Sequence, residues 1–507
     1  MNSRKGINYM SIYKNKKLSY ISKKCGSGKG IYLQKEIEKQ VENFNNYHLV
    51  VMPTKILIQQ FQNYFLEFCD NVTVIVSNDD VNYNEHVQLL PRINQVLQTK
   101  TYNIVMITEK MFYRIETNRL RDWNVWIDDC NKFCDMKIRG VKEDDKEEIL
   151  SIYKKLFITS NSYAEISSCA NDPVNFKYKK VEINSNINLS EDMKGLLTVY
   201  QTMRFYHEVV VLEDSLLGKV DQLVLAGWYD LTRYVDESIN ITYLSNDFES
   251  SLLYKRWSHL FEEVSIIVEH EDKIKDNDLR IDVKYFFDCT KTDRGLSKSM
   301  LENHLDGNVK LVQDYLERIL QCSDYYWTTN NNSKFVLSGK HKITPNQRGM
   351  NHLKDKNVCV FIAAINAHPQ SAEYLNDLFD FTIEDMVREF EVETLYQFIY
   401  RSVVRNYNSS ERVIVYVFDS EQAYAISSGS VEKIDLGLSS NKKKPGPKVK
   451  VVASPELKSK FKRWKYKNNH RADTFIRFDR WVVKVIKSNP EFEGEDFSGL
   501  RKTLSVE

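Results

Sequence analysis

The sequence predicts an α/β chain built on parallel sheets, and three features predict it. Short apolar, β-branched runs alternate with helical segments over the first 130 residues. A second block with the same alternation follows residue 251. The polar loops "CGSGKG", "PTK", "ITEK" and "IDDC" fall where strands end, the edge at which parallel sheets collect ligands.

Taken in order, "SYISKK" leads into the glycine loop, and "IYLQKEIEKQVENF" after it has helical spacing. "YHLVVMPTKILIQQFQNYF" reads as a buried strand, a turn marked by Pro53, and a helix. "NVTVIVS" and "YNIVMIT" are strand-like, the second followed by a helix start at Glu109 to Phe112, and "WNVWIDDC" is an apolar strand ending in acids. Residues 131–237 carry mixed helical signals, including "LSEDMKGLLTVYQTMRFYHEVVVL", and read as an insertion without an assigned fold. A strand with a polar end returns at "INITYLSNDFESSLLYKRW". The second block comprises "IDVKYFF", "VKLVQDYLERIL", "DYYWTTNN", "NVCVFIAAINAHPQ", "LYQFIYRSVVRN" and "RVIVYVFD". A Ser/Gly/Lys-rich bridge over 427–450 then precedes the C-terminal segment.

At 507 residues the chain is too long for one core, and length alone suggests about three domains. Eight cysteines lack the paired spacing of a zinc site and read as free thiols in a reducing cytosol. No run of 18 apolar residues and no signal-type segment is present, so a cytoplasmic protein without a membrane partner is expected. The net charge of +1 hides an asymmetry: residues 442–487 hold sixteen Lys or Arg against three acids, a local +13, which leaves −12 on the rest. One basic end on an acidic body marks contact with a polyanion.

The glycine loop carries the first chemistry. Backbone N–H groups of Cys25, Gly26, Ser27, Gly28 and Gly30 can close on phosphate oxygens, and Lys29 opens a helix whose positive end faces the anion. The alternative is a glycine-rich turn. About a hundred residues on, Asp128 and Asp129 end an apolar strand, where a nucleotide site needs one acid to hold Mg²⁺ and a second to orient water. The alternative there is a capped strand end with two solvated acids.

In this order the motifs resemble those of a superfamily 2 helicase or translocase of the DEAD-like group, over roughly residues 19–418. "CGSGKG" matches motif I, "MPTKILIQQF" motif Ia, "IVMITEKMF" the Ib region, "VWIDDC" motif II and "TYLSNDFE" motif III, with "LFITSN" competing for that strand. "YYWTTNN", "QRGMNHL" and "YQFIYRSVVRN" match motifs IV, V and VI. The resemblance implies two RecA-like domains with ATP and Mg²⁺ between them. It implies Asp128 on the metal, Asp129 on the water, and Gln397, Arg401 and Arg405 as the far wall, both arginines on one helix face. It further implies Gly349 and Asn351 against nucleotide, and Pro53, Thr54, Lys55 and Thr108 against nucleic-acid phosphates. The sequence departs from the family at Gly30, which lacks the metal-binding hydroxyl, at Asp129 in place of Glu, and at "LSND" in place of "SAT".

In the tail, "KKKPGPKVK" sets Lys442, Lys443, Lys444 and Lys448 around a Pro-Gly-Pro kink, much as in minor-groove hooks. "FKRWKYKNN" and "RFDRWVVKVIK" interleave cations with aromatics, and Lys462, Arg463, Trp464 and Trp481 suit phosphate contact and base stacking. A small helical domain with its own aromatic core is the alternative.

The expected organisation is a RecA-like domain 1 over 1–250 carrying the phosphate loop and the insertion at 131–237, a RecA-like domain 2 over 251–435, and a basic nucleic-acid-binding module over 436–507. The expected function is ATP-dependent translocation on, or unwinding of, nucleic acid, DNA favoured over RNA, in replication or recombination with proteins of those processes. The divergent motifs and Asn/Lys/Tyr-rich composition suggest a phage or mobile element, hence a bacterial host cell. The rival is a nucleic-acid-binding scaffold or loading protein whose ATPase site has decayed.

Overall fold

The computed structural model describes residues 17–438 except 42–45, 78–82, 141–145, 166–173, 185–202, 204, 271–272, 274–277, 289–307, 332, 340, 346–352, 366, 368 and 428. Residues 1–438 form one compact unit and 439–507 another, so the described residues all lie in the first.

Strands β1 (Leu18–Ser22), β2 (Tyr47–Met52), β3 (Val72–Ile75), β4 (Ile104–Thr108) and β5 (Trp123–Asp128) come first. An insertion supplies β6 (Cys134–Gly140), β7 (Phe157–Glu165), β8 (Val174–Ile183), β9 (Glu208–Leu212) and β10 (Gln222–Trp228). The chain returns with β11 (Asn240–Ser245) and β12 (Phe261–Glu263). A second lobe carries β13 (Ile281–Phe287), β14 (Tyr325–Thr329), β15 (His341–Lys342), β16 (Val358–Ile362), β17 (Val413–Asp419) and β18 (Val431–Lys433).

The first sheet has the order β12-β1-β11-β5-β2-β4-β3 and is parallel throughout. Alternate residues of one strand feed two cores. In β2, Leu49 and Val51 face one and Val50 and Met52 the other. Burial on both faces is why these strands read as unbroken apolar runs. The second lobe's sheet, β15-β14-β16-β17-β13-β18, is likewise parallel. The α/β class with two parallel sheets is therefore as the sequence predicts.

Three points go beyond or against the sequence reading. The described part of the insertion, to which the sequence assigned no fold, is dominated by a five-stranded antiparallel sheet, β6-β10-β9-β8-β7. Two of its strands, β9 and β10, are buried on both faces: Val210 and Leu212 of β9 face the first lobe's core, while Val209 and Val211 pack with Tyr153 and Leu156 of the helix Lys146–Leu156. "LFITSN" forms part of β7 in that sheet, whereas "TYLS" forms β11 in the parallel one, so the competing motif III placement falls away. Strands β1 and β5, whose ends carry the glycine loop and the acid pair, are separated by β11, which pairs with both.

The lobes share a core away from the strand ends. Leu375, Leu378 and Phe379 of the second lobe's helix Pro369–Phe379 join the first lobe's cluster, with Phe379 set edge-on to Phe133 and Trp228. Lys177 of β8 pairs with Asp377 of that helix at 3.0 Å.

Candidate functional site

The chain leaves β1 into "KKCGSGKG", and the loop is built by two left-handed glycines, Gly26 at φ 80° and Gly28 at φ 100°. Ser27 N–H turns back to the Lys24 carbonyl at 3.2 Å, and Tyr32 N–H bonds the Gly28 carbonyl at 2.8 Å to start the helix Lys29–Val41. Lys29 is thus the first residue of a helix, its ammonium folded over the loop to donate to the carbonyls of Lys23 (2.6 Å) and Lys24 (3.2 Å). The Ser27 hydroxyl is buried with no hydrogen-bond partner among the described residues. Burial pushes the Cys25 thiol pKa up, with Glu393 and Asp129 adding to the rise against Lys29, so this thiol is inert.

Strand β5 delivers the acids. Asp129 turns left-handed at φ 51°, a conformation Asp tolerates better than most residues, and its N–H bonds the Leu244 carbonyl of β11 at 2.8 Å. The Cys130 thiol donates to the Asp128 carbonyl at 3.2 Å and pins the turn. Asp128 and Asp129 both line the cleft above the glycine loop.

The far wall comes from the second lobe, by a route other than the expected one. Arg401 and Arg405 do not share a helix face, because the helix Glu393–Ile399 stops at Tyr400 and a 3-10 turn, Val403–Arg405, follows. Val403 N–H is tied to the Lys356 carbonyl at 2.8 Å, outside the helix. Both arginines nevertheless line the same cleft as Lys29, Arg401 at 3% exposure, together with Gln397. Gln397 Nε2 donates to Glu393 Oε1 at 3.0 Å and to Asp129 Oδ2 at 3.4 Å.

The cleft so enclosed holds about 550 Å³ and is lined by Cys25, Gly26, Gly28, Lys29 and Gly30 on one side and Gln397, Arg401, Arg405 and Tyr407 on the other. Its residues fit a nucleoside triphosphate with Mg²⁺: a loop with an unpartnered buried hydroxyl, an ammonium at a helix start, two guanidinium groups opposite, and an acid pair between. Among the described residues no group of three or more His, Cys, Asp or Glu could hold a metal. Mg²⁺ takes one or two carboxylates and draws its other ligands from phosphates and water, and Asp128 and Asp129 are the carboxylates that could hold it in this cleft.

Some residues missed by sequence reasoning complete the site. The Tyr407 hydroxyl donates to the Gly26 carbonyl, and its ring stacks on His270 at 4.1 Å. Tyr396 and Tyr400 both donate to Asp278, which also pairs with Lys24 at 2.6 Å. A side chain at Gly26 would meet the Tyr407 hydroxyl at 2.7 Å, so this glycine is required by space as well as by φ. Tyr396 and Tyr400 lie within the segment matched to motif VI, but no role attaches to them there, and Tyr407, His270 and Asp278 stand in no motif.

Gly30 also has a structural account. A Cβ there would meet Phe61 at 3.3 Å, so a side chain at this position requires the ring to shift by a few tenths of an ångström. Pro53 lines the same cleft, and Thr54 caps the helix Lys55–Phe65 by accepting Leu57 N–H at 3.3 Å. Thr108 ends β4 opposite Met52, so Pro53, Thr54, Lys55 and Thr108 sit at the carboxyl ends of two paired strands. Gly349, Asn351, Lys442, Lys443, Lys444, Lys448, Lys462, Arg463, Trp464 and Trp481 lie outside the described residues.

A family model described as the YonV C-terminal Rossmann-like domain matches residues 272–420. No curated protein matches the chain. Among solved structures, S. tokodaii Xpd4 aligns with 82% of this chain and 96% of its own at 11% identity and a TM-score of 0.39. The DEAD-box helicase Mss116 bound to ssRNA and UDP-BeF aligns with 92% of this chain and 81% of its own at 10% identity and a TM-score of 0.36. For the DUF1998 helicase MrfA bound to DNA and AMPPNP the values are 82%, 48%, 11% and 0.30, so this chain spans about half the length of that protein. The overlap is too loose to transfer residue roles. The chain is thus similar to the YonV C-terminal domain across much of its second lobe, and over most of its length to helicases of known structure.

Proposed function

We propose that this protein is an ATP hydrolase that uses its two lobes to move along or unwind nucleic acid. The observation that carries the reading is the single cleft in which a phosphate loop and an acid pair from one lobe meet Arg401 and Arg405 from the other. Phosphoryl transfer needs positive charge on both sides of the γ-phosphate, and this arrangement supplies it once ATP is bound. Lys29 would hold the β- and γ-phosphates, Asp128 the Mg²⁺, and Asp129 the attacking water. Arg401 and Arg405 would stabilise charge that develops on the transferred group. The basic segment at 442–487 supports a nucleic-acid partner, with DNA favoured over RNA.

Turnover of ATP by purified protein tests the roles separately. Lys29→Ala and Asp128→Ala each abolish it with the fold intact, and Arg401→Ala binds ATP but hydrolyses it slowly. Unchanged turnover in the first two contradicts the site. The rival reading of a decayed ATPase kept as a scaffold draws on one observation, the Phe61 ring against Gly30. ATP binding without any turnover in the wild type would favour it.

A further inference from the structure

We propose that Glu393 is a positioning residue that joins the phosphate loop to the hydrolytic acid across the lobe interface, an inference that rests on the nucleotide-site reading above. Its carboxylate is engaged at both oxygens. Oε2 accepts from Asn246 Nδ2, and Oε1 accepts from Gln397 Nε2 at 3.0 Å. Asn246 stands just past the end of β11, between the strands that carry the glycine loop and the acid pair, and its Oδ1 accepts the Cys25 N–H at 3.0 Å. Gln397 Nε2 also reaches Asp129 Oδ2 at 3.4 Å. One continuous path therefore runs from the Cys25 amide through Asn246, Glu393 and Gln397 to Asp129.

The polarity of the path matters more than its length. Each amide side chain has one donor end and one acceptor end, and can flip unless its partners forbid it. Asn246 is fixed because Oδ1 must face an N–H, which turns Nδ2 toward Glu393. Gln397 is fixed because Glu393 holds its NH₂ end, and that end then faces Asp129. Without the carboxylate, Gln397 loses the shorter of these two bonds to its NH₂ end, and the contact to Asp129 at 3.4 Å is left to orient the amide. Both amides are 8% exposed, so water cannot easily substitute. The two amides donate to different oxygens of Glu393, so both ends of the group at 393 must accept. A glutamine at 393 would set its own NH₂ against one of the two NH₂ groups already there.

That asymmetry separates positioning from space filling, because the isosteric Glu393→Gln preserves volume and fails on polarity. In ATP turnover by the full chain, Glu393→Gln and Glu393→Ala are both expected to lose about tenfold or more in kcat with KM for ATP within about threefold. Glu393→Gln combined with Gln397→Ala is expected to fall no further than Gln397→Ala alone, since both act through one bond path. Wild-type kcat in Glu393→Gln, or losses that multiply in the double variant, overturns the proposal.

A second measurement needs no activity. Hydrogen exchange on peptides spanning residues 19–31 of the nucleotide-free protein should be faster in both Glu393 variants, because the Cys25 amide loses its fixed acceptor. Unchanged exchange there also overturns the proposal. If the wild type shows no turnover sensitive to Lys29→Ala, the hydrolase reading fails and the kinetic role of Glu393 fails with it. Turnover lost in Lys29→Ala but intact in Glu393→Ala keeps that reading and removes the path alone.

Discussion

Glu391 stands in a π-helical turn, Arg388–Val392, that precedes the helix carrying Gln397, and its carboxyl group is buried at 7% exposure. It accepts from Gln422 Nε2 at 2.9 Å and from Ile365 N–H at 3.3 Å. Burial, then the neighbouring Asp419 carboxylate, push its pKa up from 4.5 to about 7; Glu421 adds to the rise, and the two hydrogen bonds oppose it. Between those two values the folded protein keeps a proton that the unfolded chain has released. Stability contributed by Glu391 is therefore full below the unfolded value and is lost as pH rises through about 7. At 1.36 kcal/mol per unit, a shift of this size corresponds to at most about 3 kcal/mol at pH 8. Glu391→Gln retains an oxygen for both donors and removes the charge beside Asp419. Urea denaturation of wild type and variant at pH 5, 6, 7 and 8 checks this. The variant should match the wild type at pH 5 and exceed it at pH 8 by up to about 3 kcal/mol. A stability difference that stays constant with pH would refute the reasoning.

Two further perturbations test the site and the tail. Gly30→Ser, which restores the family's hydroxyl, should not raise ATP turnover and should lower the melting temperature, because its Cβ meets Phe61 at 3.3 Å; Gly30→Ser with Phe61→Leu should recover stability and turn over faster than Gly30→Ser alone. Truncation after Leu438 should leave basal turnover unchanged, since Leu436 and Leu438 still pack on the second lobe. The same truncation should flatten the log–log salt dependence of nucleic-acid binding by about 0.7 to 0.9 for each phosphate that the tail neutralises. An unchanged salt slope would mean that the lysines of the tail are merely solvated.

The parallel lobes were legible because their strands are short, β-branched and buried on both faces, with polar loops at the carboxyl ends. The same double burial hid the insertion. "EVVVL" and "QLVLAGW" feed two cores at once, so they show no alternation that would mark an antiparallel sheet. The glycine loop and acid pair could be read because φ-permissive and charged residues stand in fixed order. The turn at Tyr400 could not, since its lead-in continues the helical pattern and the segment after it is held by a tertiary bond, Val403 N–H to the Lys356 carbonyl. Tyr407, His270 and Glu393, and the contacts that Asn246 of "LSND" makes, were illegible for a different reason. They reach the site through tertiary contacts between segments up to 381 residues apart, as for the Tyr407 bond to Gly26.

The most direct measurement of the central claim is ATP turnover with and without single-stranded nucleic acid, in the wild type and in Lys29→Ala. A cleft closed by both lobes predicts wild-type turnover that nucleic acid stimulates several-fold or more, and loss of both basal and stimulated turnover in Lys29→Ala. Turnover that Lys29→Ala leaves unchanged, or a wild type that hydrolyses no ATP in either condition, would contradict it.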